Sequence, residues 1–197
     1  MLLNWLSLLP VVVAAYLIGS IPTGVILARV MGWPDPRTYG SGHIGGLNVS
    51  RGAGRGALIV VGLLDLLKGI LGVWLGTRLS ANPYALPLAG MAVTAGHCWS
   101  VWVNFAGGMG LATAFGAVLP YAPIPALIAA LALAIIRFFI IKHSPRAVIA
   151  ALCTLPITLL IFRSPLPIFL LGTGVAAILI LRHTADWNRV YPSKSIE

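Results

Sequence analysis

Apolar residues run almost without a break over positions 3–30, 57–79, 84–98, 111–121, 123–142, 146–162 and 165–183, and polar residues collect in the segments between. Each run predicts a helix. Crossing the hydrocarbon core of a bilayer takes about 20 apolar residues, so the pattern predicts an all-α, polytopic membrane helix bundle of about seven transmembrane helices. The run at 111–121 is short. It predicts a partial span, or a helix fused to its neighbour across Pro120 and Pro123. Residues 1–197 are expected to form one integral-membrane domain, with no internal repeat or flexible linker. The first run lacks the basic start of a signal peptide and stays apolar to Val30, so a retained first helix is expected.

Composition narrows the class. The chain is 59% hydrophobic and only 9% charged, against roughly 25% charged residues in a soluble domain. Its net charge of +9 would suggest nucleic acid in a soluble protein. Here the basic residues sit at the ends of apolar runs, which points to membrane topology and anionic lipid headgroups instead. With the N-terminus outside and the C-terminus cytoplasmic, Arg29, Arg37, Arg51, Arg55, Lys142, Arg146, Arg182, Arg189 and Lys194 share the inner side. Only Arg78 and Arg163 fall clearly outside, as the positive-inside rule requires. This orientation also gathers two glycine-rich stretches and the polar tail from Thr184 on one side, where they can build one site.

The first stretch, GSGHIGGLNVSRGAGRG over 40–56, carries seven glycines. Gly40 and Gly42 flank Ser41, and glycine lets a ligand approach backbone N–H groups that converge on an anion. Ser41 adds a hydroxyl, Asn48 an amide and Arg51 a planar fork suited to phosphate. The same composition also suits a flexible loop whose arginines face lipid. In NFAGGMGLATA, over 104–114, Gly107, Gly108 and Gly110 precede an apolar helix, again suiting a phosphate or else a tight turn. Asp65 and Lys68 share a helix face within a span, as a structural ion pair or a functional one. His97 closes the third run, and His183, Asp186 and Arg189 follow the last run at helical spacing. They fit a solvated helix end or one wall of the site. His43, His97, His143 and His183 have no metal-ligand spacing, and Cys98 and Cys153 fit small packing residues.

In order, GSIPTG at 19–24, DPR at 35–37, GSGHIGGLNVSR at 40–51, DLLKG at 65–69, GH at 96–97 and FAGGMGLATA at 105–114 resemble the bacterial acyl-phosphate:glycerol-3-phosphate acyltransferases. His183, Asp186 and Arg189 complete the series. The resemblance implies a seven-helix inner-membrane enzyme with its active site facing the cytoplasm. It would transfer a fatty acyl group from acyl phosphate to the 1-hydroxyl of glycerol 3-phosphate, giving lysophosphatidic acid for phospholipid synthesis. No metal or organic cofactor and no nucleic acid is implied; the partners are the two substrates and membrane lipids. By position, Ser41 and Arg51 match family residues that hold phosphate, and His183 matches a polar residue of the site. Asn48, Gly107, Gly108 and Gly110 match positions that shape it, and Lys68 and His97 match supporting positions.

Several positions depart from the family pattern. Met109 stands where a phosphate-binding lysine is expected, His43 where asparagine is, and Gly46-Leu47 where alanine-threonine is. Asp186 stands where asparagine is, and so would turn a negative charge toward an anion site. Ile140 and His143 occupy the expected serine positions of IIKHSPR, and the final Gly-Thr-Glu pattern is missing. The departures raise an alternative: a divergent paralogue that binds phosphate-bearing lipid but uses another acceptor or performs no catalysis. A small transporter would instead need repeats or polar residues crossing the bilayer, and the polar groups here cluster at one face.

Overall fold

The structure, a computed structural model, describes residues 5–189 and Tyr191; Lys194 and the end of the tail lie outside the described residues. Among the described residues, ten α-helices run in order: α1 Leu8–Ser20, α2 Thr23–Met31, α3 Gly46–Ala53, α4 Arg55–Leu79, α5 Ala85–Cys98, α6 Leu111–Val118, α7 Pro123–Ile135, α8 Ser144–Leu152, α9 Thr154–Ile161 and α10 Leu166–Thr184. No strand is present among the described residues.

Among the described residues, five segments are long and apolar enough to cross a membrane: Trp5–Met31, Arg55–Leu79, Pro123–Ile140, Ser144–Ile161 and Leu166–Thr184. The remaining two expected spans are short. At 1.5 Å per residue, α5 reaches roughly 21 Å and α6 roughly 12 Å, below the roughly 30 Å of hydrocarbon. The α5 helix is largely buried and packs against α1, α4, α6 and α10, so it lies inside the bundle.

Two spans expected as continuous helices are broken by proline. Pro22 has no N–H and its ring crowds the carbonyl one turn back, so α1 ends at Ser20 and α2 begins at Thr23. Pro156 has the same effect on the carbonyl of Leu152, where α8 gives way to α9. The last turn before Ile141 widens to a π-helix over Ile136–Ile140.

Helices meet closely where side chains vanish. A Cβ on Gly19 would collide with the Val93 carbonyl, and one on Gly96 with the Tyr16 carbonyl, so α1 and α5 touch backbone to backbone. Such contacts replace the hydrophobic drive that lipid removes. Val11, Ala15, Val73, Ala89 and Val93 form one core between α1, α4 and α5. Ala114, Val118, Leu159, Leu171 and Leu179 form another among α6, α9 and α10. Large apolar side chains such as Leu9, Leu63, Leu131 and Leu160 face outward, as a lipid-facing surface requires.

Candidate active site

One end of the bundle gathers the first glycine loop, the second glycine loop and the tail. The first loop starts at Asp35, whose carboxylate accepts the backbone and guanidinium N–H groups of Arg37. Those hydrogen bonds pull the Asp35 carboxyl down to about 2. The chain then bends through Gly40 (φ 58°) and Gly42 (φ 73°), left-handed conformations that favour glycine. At Gly40 a Cβ would also strike the Asn48 side chain.

Asn48 organises the loop. Its Nδ2 donates to the carbonyls of Pro36 at 2.7 Å, His43 at 2.9 Å and Tyr39 at 3.2 Å. Its Oδ1 accepts from the Ser41 N–H at 2.8 Å and from Arg51 Nη1 at 3.1 Å. A single buried amide thus fixes both Ser41 and Arg51. Asn48 is held in turn by α3, a helix within a stretch expected as loop. Its glycines lower helix propensity, but Val49 packs against Ala57 and Val61, with Leu27 and Trp33 beside them. Tertiary burial outweighs propensity here.

The second loop lies flat on the end of α5. Gly108 N–H donates to the His97 carbonyl at 3.0 Å, and a Cβ on Gly108 would collide with the His97 ring. A Cβ on Gly107 would collide with the His97 carbonyl. Gly110 (φ 82°) turns the chain into α6, and Met109 is half-buried.

Beneath this loop sits a buried polar cluster. Asp65 Oδ1 accepts from Lys68 Nζ at 2.9 Å and from Thr23 Oγ1 at 2.5 Å. His97 Nδ1 lies 3.0 Å from Thr113 Oγ1 and 3.5 Å from Asp65 Oδ1. Lys68 also donates to the Ile21 carbonyl at 2.9 Å, a group exposed by the proline break. Lys68 and His97, expected as supporting residues, are therefore engaged with α4, α6 and the junction between α1 and α2. They brace the floor through these contacts.

Arg182, at the end of α10, joins the parts. Its Nε donates to the Gly108 carbonyl at 2.9 Å, and its Nη2 lies 3.3 Å from the Gly107 carbonyl and 3.2 Å from His43 Nδ1. His43 Nε2 in turn lies 2.6 Å from Asp186 Oδ2. Tyr191 donates to the same carboxylate oxygen at 2.5 Å, and Arg189 Nη1 lies 3.5 Å from Oδ1. The Asp186 charge, expected to face an anion, is paired inside the site. Burial works to raise its carboxyl, but hydrogen bonds from Tyr191 and His43 outweigh it and hold the group below its ordinary range. Burial pushes His43 down, toward the neutral form. The guanidinium groups of Arg51 and Arg189 flank the Tyr191 ring at 5.8 and 5.7 Å. His183 is buried, and its Nδ1 lies 2.8 Å from the Leu179 carbonyl. A carbonyl only accepts, so Nδ1 carries the proton and Nε2 is the acceptor of the neutral ring.

The structure thus brings Gly40, Ser41, Gly42, Asn48 and Arg51 into one unit, and it links that unit to Gly107, Gly108 and Asp186. Gly110 closes the second loop, and His183 stands beside Arg182 on α10. Arg182 and Tyr191 are contributors that sequence reasoning missed. The signal available for Arg182 was its place at the junction of the last apolar run and the polar tail.

An apolar cavity of about 290 Å³ lies beside this end, lined by Leu111, Phe115, Ala126, Ala130, Leu152 and Leu179 among others. Its lining includes Leu111, the residue after Gly110. No group of three or more metal-ligating side chains occurs among the described residues.

Fold and site define an integral-membrane protein whose anion-suited, glycine-rich face abuts an apolar cavity. The glycerol-3-phosphate acyltransferase family matches residues 9–192, and the chain belongs to that family. Glycerol-3-phosphate acyltransferases of Escherichia coli O1:K1 / APEC, E. coli strain K12 / DH10B and Shigella boydii serotype 18 are each 47% identical over 109 residues. That stretch covers 55% of this chain and 53% of theirs, so the chain spans about half the length of these curated relatives. Two crystal structures of PlsY (YgiH), an integral membrane glycerol 3-phosphate acyltransferase, share the fold. The glycerol 3-phosphate form has a TM-score of 0.81 at 32% identity, covering 93% of this chain and 91% of that one. The lysophosphatidic acid form has a TM-score of 0.78 at 31% identity, with the same coverage. The protein is therefore a multi-pass membrane protein of acyltransferase fold.

Proposed function

We propose that this chain transfers a fatty acyl group from acyl phosphate to the 1-hydroxyl of glycerol 3-phosphate, forming lysophosphatidic acid for phospholipid synthesis. The observation that carries this reading is the Asn48-centred loop joined through His43 and Arg182 to the second glycine loop. Two phosphate-bearing substrates need two anion-suited loops on one face. Ser41 and Arg51 hold phosphate, and Asn48 fixes their positions. Gly107, Gly108 and Gly110 let a second phosphate approach backbone. The apolar cavity that Leu111 helps to line suits the acyl chain.

Acyl phosphate is an activated mixed anhydride, so no covalent enzyme intermediate is required. The 1-hydroxyl oxygen attacks the acyl carbon, the bond to the phosphate oxygen breaks, and the departing phosphate takes the hydroxyl proton. The chain supplies positioning and stabilisation of developing negative charge. Arg51 and Arg182 are the cations nearest this task, and His183 Nε2 is a hydrogen-bond acceptor at the same end. The clustering of arginine at this end supports a cytoplasmic active site in the inner membrane.

The divergent-paralogue alternative rests on Met109, since a thioether supplies no charge to a phosphate. Asp186 no longer favours it, because its charge is paired with His43 and Tyr191. The test is lysophosphatidic acid formation, followed by mass spectrometry, by purified protein given palmitoyl phosphate and glycerol 3-phosphate. A Met109→Lys variant runs in parallel. Product from the native chain is expected. Product only from Met109→Lys would favour the paralogue, and product from neither would overturn the assignment.

A further inference from the structure

His43 and Asp186 come from segments 143 residues apart and meet at 2.6 Å with side chains only 11% and 6% exposed. The proton positions follow from their neighbours. The Arg182 guanidinium can only donate, so His43 Nδ1 accepts from it and the ring proton sits on Nε2, pointed at Asp186. The result is a continuous chain: Asp186 carboxylate, neutral His43, Arg182 guanidinium, carbonyls of Gly107 and Gly108. It crosses from the tail to the first loop and then to the second. Among the described residues, no other side chain hydrogen-bonds to both glycine loops.

We propose that His43 and Asp186 are a matched positioning pair: neutral His43 gives the buried carboxylate a hydrogen-bond donor, and through Arg182 the pair sets the separation of the two phosphate-holding loops. The inference rests on the acyltransferase reading for what the loops hold. The two residues act through Arg182 and the loops, not on the reacting atoms. Asp186 alone would be a buried anion beside an anion site. With His43, Tyr191 and Arg189 around it, the carboxylate has a donor or a cation on both oxygens.

A matched pair makes a sharp statement about rescue. Removing His43 alone takes one donor from the carboxylate, leaving Tyr191 and Arg189, and frees Arg182 to turn toward it, away from the second loop. Removing the charge as well cancels most of that harm. A ring that merely fills space would give additive losses.

The test is a two-residue cycle, His43→Ala, Asp186→Asn and the double variant, with His43→Gln as the conservative variant whose amide can still donate to Asp186. Two readouts are taken on purified protein in lipid nanodiscs: glycerol 3-phosphate binding by calorimetry, and KM and kcat for acyl transfer. His43→Ala is expected to weaken binding and raise KM at least tenfold, with kcat changed less than threefold. Adding Asp186→Asn is expected to recover most of the loss, and His43→Gln to keep at least half the native affinity. Additive losses, or a His43→Ala protein within twofold of native, would overturn the pair. Should His43→Ala fail to fold, His43→Gln decides: a tenfold loss there overturns the proposal. A native protein that binds glycerol 3-phosphate and obeys the cycle but transfers no acyl group would leave the pair standing and overturn the acyltransferase reading. A native protein that neither binds nor transfers would overturn both.

Discussion

Replacing Asn48 by aspartate exchanges one NH2 group for oxygen at almost no change in volume, which makes it the sharpest probe of the first loop. The amide has two N–H groups, and these serve three carbonyls, those of Pro36, His43 and Tyr39. A carboxylate has none, and it turns an oxygen toward all three carbonyl oxygens. Even a protonated acid carries one O–H where the amide carries two N–H groups. At least one N–H donor is lost. At about 1 kcal/mol net for each lost hydrogen bond, with about 1–3 kcal/mol more for a buried carbonyl left unpaired, the cost is at least about 2 kcal/mol. Because that cost falls on the loop conformation that presents Ser41 and Arg51, it lowers the population of the competent state. Two kcal/mol shifts that equilibrium about 30-fold, at 1.36 kcal/mol per factor of ten, and kcat/KM falls by up to about that factor. The assay is lysophosphatidic acid formation by the variant in lipid at pH 7, beside a thermal melt to establish that the bundle is intact. An intact variant within threefold of native activity would refute the role assigned to Asn48.

Gly108→Ala places a methyl against the His97 ring. The second loop must lift, so kcat/KM should fall at least tenfold while overall stability in detergent changes little; equal activity would refute the close seating of that loop. Asp65→Asn leaves Lys68 buried without its carboxylate partner, which typically costs about 3–5 kcal/mol. Its apparent melting temperature should drop by several degrees, and an unchanged melt would show that the pair contributes nothing. The third concerns pH. His43, faced by Asp186 and Tyr191 of the tail, by Arg182 of α10 and by Arg189, is held neutral below its ordinary value of 6.5. The unfolded chain binds a proton near that value and the folded chain does not, so this contribution is complete above pH 6.5 and is lost progressively as pH falls below it. Melting temperature between pH 8 and 5 should fall on the acid side, with a shallower fall in His43→Gln; identical slopes would refute it. The contribution of Asp186, whose carboxyl is also held down, is lost only below its ordinary 3.8 and lies outside that window.

Hydrophobic patterning carried the bundle because a lipid-facing helix must be apolar over a fixed length. It was less informative about breaks and depth. Pro22 and Pro156 interrupt runs whose apolar content alone looks continuous. The short α5 is buried in protein, and burial in protein selects the same apolar residues as contact with lipid. The α3 helix was hidden by its own glycines, since only the packing of Val49 on Ala57 and Val61 makes it helical. In the site, Ser41, Asn48 and Arg51 were legible because loop chemistry and spacing point to an anion. The partnership of His43 with Asp186 was not: each looked like a loss when considered alone, and only the fold brings them to 2.6 Å. Arg182 looked like one more basic residue at a helix end, because no local pattern reveals which carbonyls a guanidinium will reach.

The most direct test of the central claim is inorganic phosphate release from palmitoyl phosphate by the purified native protein in lipid, with and without glycerol 3-phosphate. The account predicts release that depends on the acceptor, with one lysophosphatidic acid formed for each phosphate. Release that ignores glycerol 3-phosphate, or no release at all, would contradict it.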